Sequence, residues 1–187
     1  MATKPKLIKV RLTNEGADSE TPWAHDLGRV EGGRKVKLVN VPFMHAKPTW
    51  GDTIVVKEIK NDFPTWDRGG TPWSRISTKI LVDGGRWAMI VHYEPHPDGK
   101  DAFKALDKAC LDHDIICEGA VGPRNGRPGT AYLAVPVALS DTQVMKALRD
   151  EELPCELVQV HPKPAVKRSK KAKKPASRRS GSQRKAR

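Results

Sequence analysis

The stretch RWAMIVHYEPHPDGKDAFKALDKACLDHDIICEG, residues 86–119, decides how this chain is read. Residues 86–93 form a nearly continuous apolar run of strand length, and Pro95 and Pro97 end it. The period then changes. Phe103, Leu106 and Cys110 recur at helical spacing with Ala102, Ala105 and Ala109 beside them, and charged residues cover the other face. That pattern predicts a helix over 99–113, with Asp98 as its cap. Ile115 to Cys117 then opens a short strand over 115–119.

Toward the C-terminus, a glycine-rich connection spans 118–130 and a strand follows over 131–137. Ser140 and Gln143 have the spacing of a capping box, ahead of a helix over 141–151 that carries Val144, Met145 and Leu148. A last strand covers 155–160. The order strand, helix, strand, strand, helix, strand is that of the ferredoxin-like βαββαβ unit.

Toward the N-terminus the chain is strand-rich with short turns. Alternation predicts strands over 6–13 and 35–41, β-branched residues predict one over 53–59, and 23–27 and 75–82 read as further strands. In 35–41, Val36 and Leu38 share one face and basic residues take the other. Turn chemistry lies at 28–33 and 48–52, and Asp83-Gly84-Gly85 is a tight hairpin signal between 75–82 and 86–93. The expected fold class is α+β: a strand-rich, barrel-like or curled-sheet half over 1–84, a ferredoxin-like half over 85–161 and a tail over 162–187. One composite body and two small domains both fit this reading.

Five segments stand out: Ile8-Lys9-Val10-Arg11-Leu12, Glu20-Thr21-Pro22-Trp23-Ala24, Leu27-Gly28, Leu38-Val39-Asn40-Val41-Pro42-Phe43 and Trp50-Gly51-Asp52. Together they resemble a bacterial domain of unknown function, DUF4265. The resemblance covers about 6–159 and is most specific from Trp23 to Asp52. It departs from the family pattern in the longer, Trp-richer 61–73 segment and in the 83–85 turn, and the basic tail lies outside it. It implies a fold and supplies no activity.

Charge is unevenly distributed. Residues 163–187 hold 12 Lys or Arg and no Asp or Glu, which leaves 22 basic and 22 acidic residues in the rest of the chain. The net charge of +12 therefore belongs to the tail. Its basic residues include Lys167, Arg168, Lys170, Lys171, Lys173, Lys174, Arg178, Arg179, Arg184 and Lys185, with Pro, Ala and Ser between them. So few apolar groups cannot offset the entropy of ordering, so the composition predicts a disordered arm. Such an arm suits the phosphates of DNA or RNA without sequence preference, and the alternative is a merely solubilising tail.

A second candidate is the 61–73 segment, where Phe63, Trp66 and Trp73 accompany Arg68. These residues form either a recognition surface, for a partner in a protein-interaction or immunity-type module or for a stacked base, or a lid folded over the barrel end. A small-molecule regulatory domain is a third reading, by fold analogy alone. Asp52 reads as a turn residue, and Cys110 as core. His92, Glu94 and His96 alternate, but Pro95 and Pro97 interrupt them and argue against a metal site. No nucleotide-loop or nucleophile-elbow motif is present, so the expectation is a non-enzymatic accessory protein with no catalytic residue, cofactor or metal. Three unpaired cysteines, no signal-like N-terminus and no long apolar run predict a cytoplasmic protein with no membrane partner, with association with nucleoid or ribosome as an extension of the tail's charge. Limited trypsin digestion of the full chain should remove residues beyond about His161 first and leave a stable core; a tail that survives without a ligand would contradict the compositional reading.

Overall fold

The computed structural model describes residues 4–13, 19–58, 73–150 and 155–160. Within them lie two antiparallel sheets, a short two-stranded ribbon and two helices, an α+β arrangement.

The first sheet has the order β1 (Leu7–Lys9), β4 (Trp23–Val30), β5 (Gly33–Leu38), β6 (Thr53–Glu58), β7 (Trp73–Val82). Its ladders are antiparallel, and paired positions share a face. Ile8, Ala24, Val36, Leu38, Ile54 and Val56 point to one side and are buried with Val10 and Leu12. The sheet is open, with β1 and β7 at its edges, so the barrel expectation gives way to an open sheet. The expected strand 6–13 keeps a single antiparallel register: β1 lies on β4, Val10 donates to the Pro22 carbonyl at 3.0 Å, and β2 (Leu12–Thr13) lies on β3 (Ser19–Glu20), which directly precedes β4.

The second sheet has the order β11 (Cys155–Val160), β8 (Arg86–Tyr93), β10 (Gly129–Pro136), β9 (Ile116–Val121). Trp87, Met89, Val91 and Tyr93 of β8 alternate toward the helices with Ala131, Leu133 and Val135 of β10. Helix α1 (Ala102–Leu111) covers them with Leu106, Ala109 and Cys110, and α2 (Asp141–Asp150) with Val144, Met145 and Leu148. The capping box forms: Gln143 N donates to Ser140 Oγ at 3.2 Å and Ser140 N to Gln143 Oε1 at 2.8 Å. The first helix starts later than its charge pattern implies. Gly99 has φ +70°, outside the helical range, so Asp101 rather than Asp98 caps α1, accepting from the Phe103 and Lys104 amides.

The Asp83-Gly84-Gly85 segment is not a hairpin. β7 belongs to the first sheet and β8 to the second, so the turn carries the chain between them. Gly84 packs on backbone: a Cβ there would lie 2.7 Å from the Gly51 carbonyl carbon and 2.9 Å from the Asp52 amide nitrogen. Gly84→Ala should therefore lower stability by about 1–3 kcal/mol, the range for forced overpacking. Urea unfolding checks this, and an unchanged midpoint would show that the two turns do not bear on each other.

Candidate functional site

The segment from Asn40 to Asp52 joins the two sheets, and most of the buried polar groups converge on it. Asn40 Oδ1 accepts from the Trp23 amide at 2.8 Å, and its Nδ2 donates to Glu118 Oε2 at 3.0 Å. The second Glu118 oxygen accepts from the Val41 amide at 3.1 Å. Glu118 pairs with Tyr132 across β9 and β10, on the sheet face opposite the helices, and Phe43 stacks on Tyr132 with ring centroids 4.2 Å apart. Glu20 holds the other side. Its carboxylate accepts from the Phe43 and Met44 amides at 2.6 and 3.0 Å and from His45 Nδ1 at 2.5 Å. A cleft of about 260 Å³ opens between Glu20, Trp23, Asn40, Phe43 and Glu118.

Chemically this seam is a clamp. Each oxygen of both carboxylates accepts at least one hydrogen bond from an amide within the protein. Burial pushes the Glu118 carboxyl above its ordinary 4.5, against the opposing hydrogen bonds from Asn40 and Val41.

Below the seam, Asp52 is fully buried. It accepts from the Thr49 amide at 2.8 Å, the Gly84 amide at 2.6 Å and Lys47 Nζ at 3.1 Å. Lys47 also reaches Asp83 at 2.9 Å. Burial raises the Asp83 carboxyl, but hydrogen bonds from Lys47 and Gly85 and the Lys47 charge outweigh it, so it lies below its ordinary range. Arg86 joins this group, with its guanidinium 4.9 Å from the Trp50 ring centre, Nη2 2.8 Å from Asp114 Oδ1 and Nη1 on the Asp114 and Ala134 carbonyls.

The outer face of the first sheet is chemically different. Since Ile8, Ala24, Val36, Leu38, Ile54 and Val56 face the core, their alternates Leu7, Lys9, Trp23, His25, Lys35, Lys37, Val55 and Lys57 face outward. No carboxylate occurs among those outward positions. Trp23 is 44% exposed, with Lys9 Nζ 5.4 Å from its ring centre, and Lys37 Nζ lies 5.9 Å from Trp50.

The candidates drawn from sequence fall elsewhere. Lys167, Arg168, Lys170, Lys171, Lys173, Lys174, Arg178, Arg179, Arg184 and Lys185 lie outside the described residues, as do Phe63, Trp66 and Arg68. Trp73 appears as the first residue of β7, paired in register with Glu58. His92 is within β8, and His96 follows it, its Nδ1 accepting from the Asp98 amide at 3.2 Å. Among the described residues no group of three or more His, Cys, Asp or Glu is placed to hold a metal, and no helix is long and apolar enough to cross a membrane. Glu118, Glu20 and Lys47 gave no signal as site residues in the sequence, because nothing local distinguishes them from solvated charges. The outward lysines did leave one, the basic alternates of each strand pattern.

No family model matches the chain, and no curated protein matches it. A solved structure of a hypothetical protein from Neisseria gonorrhoeae is similar in outline, with 8% sequence identity and a TM-score of 0.44 over 86% of this chain and 96% of that one.

The raised Glu118 carboxyl makes stability pH-dependent. The folded state holds this proton to higher pH than the unfolded chain. The contribution of Glu118 is therefore fully present below about pH 4.5 and is lost as pH rises through the raised folded value. Glu118→Gln removes that titration and one of the two amide bonds. The stability advantage of the parent over the variant should be larger at pH 4 than at pH 7 by thermal melting; an equal gap at both would show that Glu118 is not desolvated.

Proposed function

We propose that this chain is a non-enzymatic accessory protein that binds a polyanion, nucleic acid above all, with its basic C-terminal arm supplying affinity. The observation that carries this reading is the charge division: 12 basic and no acidic residues in 163–187, against 22 of each in the rest of the chain. Each phosphate neutralised releases condensed counterions, and no aromatic residue in that segment is available to read a base. A chain of 25 residues with this composition spans about 25–30 Å between its ends, enough to follow a groove beside the folded part. The occupied carboxylates of the seam support binding rather than catalysis.

In this reading the second half is a ferredoxin-like unit. Its support is the βαββαβ order and the antiparallel strand order β11-β8-β10-β9. Such a unit serves as a rigid body that carries the arm and the first sheet.

The test is a salt titration against labelled duplex DNA and structured RNA. It uses the full chain and a variant with Lys167, Arg168, Lys170, Lys171, Lys173 and Lys174 replaced by Ser. If the arm engages five or six phosphates, log affinity should fall with log salt at a slope of about −5, and Kd should lie at about 10⁻⁴–10⁻⁶ M near physiological salt. The variant should lose most of that slope. Equal affinity and slope in both proteins would reject the arm.

A further inference from the structure

We infer that the outer face of the first sheet is a binding platform for single-stranded nucleic acid, with Lys9, Lys35, Lys37 and Lys57 on phosphates and Trp23 stacked on a base. The inference rests on the polyanion reading above and assigns the folded part a role in it.

The placement follows from register. Leu7, His25, Lys37 and Thr53 form one cross-strand row, Lys9 and Trp23 a second, and Lys35 and Val55 a third. Neighbouring strands lie about 4.8 Å apart and alternate residues of one strand about 6.7 Å apart, so these ammonium groups form a compact two-dimensional array. Lys37 and Lys57 are exposed, and Lys9 and Lys35 partly so. Residues 1–162 hold 22 basic and 22 acidic side chains, yet the outward positions named above include no acidic one. Four carboxylates near this sheet, Glu20, Asp52, Asp83 and Glu118, lie at the seam and crossing, where they bind amides and Lys47. A face whose outward side chains are basic and aliphatic produces a local positive field.

Charge alone does not choose between a duplex and a single strand. Trp23 makes that choice. It stands on the open side of the sheet beside a lysine, and an exposed indole is an unfavourable surface residue without a ligand. A duplex keeps its bases stacked on one another and has none to offer an aromatic on a broad, open sheet. A single strand offers base faces and phosphates together, the pairing that a cationic surface with an aromatic ring takes. Stacking is tolerant of sequence, which agrees with the absence of an amide or carboxylate side chain among the outward positions to read a base edge.

The test titrates oligo(dT) and a duplex of equal length by fluorescence anisotropy. It uses the full chain, the six-residue tail variant, Trp23→Ala, and a triple variant Lys35→Ser, Lys37→Ser, Lys57→Ser. Trp23→Ala should weaken oligo(dT) binding about ten- to a hundredfold and leave duplex binding within about twofold. The triple variant should make the oligo(dT) salt slope shallower by about 2. The tail variant should lose duplex binding and retain a part of its oligo(dT) binding that Trp23→Ala then removes. Should Trp23→Ala fail to fold, judged by circular dichroism, Trp23→Phe replaces it and should retain most of the oligo(dT) affinity, while the triple variant still tests the face. If Trp23→Ala and the triple variant both bind oligo(dT) as the parent does while the tail variant loses it, the platform is wrong and the arm stands. Weakening of oligo(dT) and duplex by the same factor in Trp23→Ala overturns the single-strand assignment. Binding by the tail variant equal to that of the parent removes the arm and leaves the face as the site.

Discussion

A carboxylate removed from water needs each oxygen answered by a donor, or burial costs several kcal/mol. Asp52 meets that requirement with three groups from separate parts of the chain: the Thr49 amide before it, the Gly84 amide at the crossing between sheets, and the Lys47 ammonium, which also holds Asp83. The rest of the architecture hangs on this arrangement. It fixes the end of β6 against the end of β7 and directs the chain out of the first sheet into the second. The close approach requires a residue without a side chain at position 84, because Gly51 and Asp52 backbone fill the space where a Cβ would stand. Removing the Asp52 carboxylate would leave the Thr49 and Gly84 amides without their acceptor and Lys47 with Asp83 alone, a larger loss than a surface ion pair ever represents.

The seam repeats the same solution. The 40–45 segment has few backbone partners of its own, so side chains supply them. Glu118 from the second sheet and Glu20 from the ribbon each take two amides of that segment, and Asn40 bridges Trp23 to Glu118. Phe43 on Tyr132 adds an apolar contact on the sheet face that the helices leave open. Glu20 and Glu118 are thereby drawn inward as acceptors for that segment, while the outward alternates of the first sheet named above include no carboxylate.

Fold and charge are linked in this way. Most polar groups that hold the two sheets together have partners within the protein, and His45 Nε2 and Thr49 Oγ1 are buried without one. The outer face of the first sheet carries the outward lysines, and Trp23 stands where that face meets the seam cleft. The tail sequence adds a second, denser set of basic residues. In the reading we propose, two cationic regions on one chain would act on one strand with an effective concentration set by the length between them, so each can be weak alone.

The periodicities in the sequence determined a great deal by themselves. Alternation in 35–41 and 53–59 separates the buried valines, leucine and isoleucine from the outward lysines, and the helical spacing of Leu106, Cys110, Val144 and Leu148 places both apolar faces. Ser140 and Gln143 mark the start of α2, because a capping box is satisfied within four residues and needs no distant partner. The excess of charge in the tail is a matter of composition. Partner choice was settled only by tertiary structure. Asp83-Gly84-Gly85 has the residues of a hairpin, yet β7 and β8 pair in different sheets, because Asp52, remote in sequence, captures the Gly84 amide. The strand expected over 6–13 runs in one register opposite 19–25 and is interrupted only beside Pro22, which has no N–H for the ladder. Glu118 looks like any glutamate in a glycine-rich stretch until the 40–41 backbone is laid against it. Local sequence fixes the period of each element because side-chain geometry repeats along the chain. Which elements pair, and which charges are buried, depends on satisfying polar groups that come from far apart.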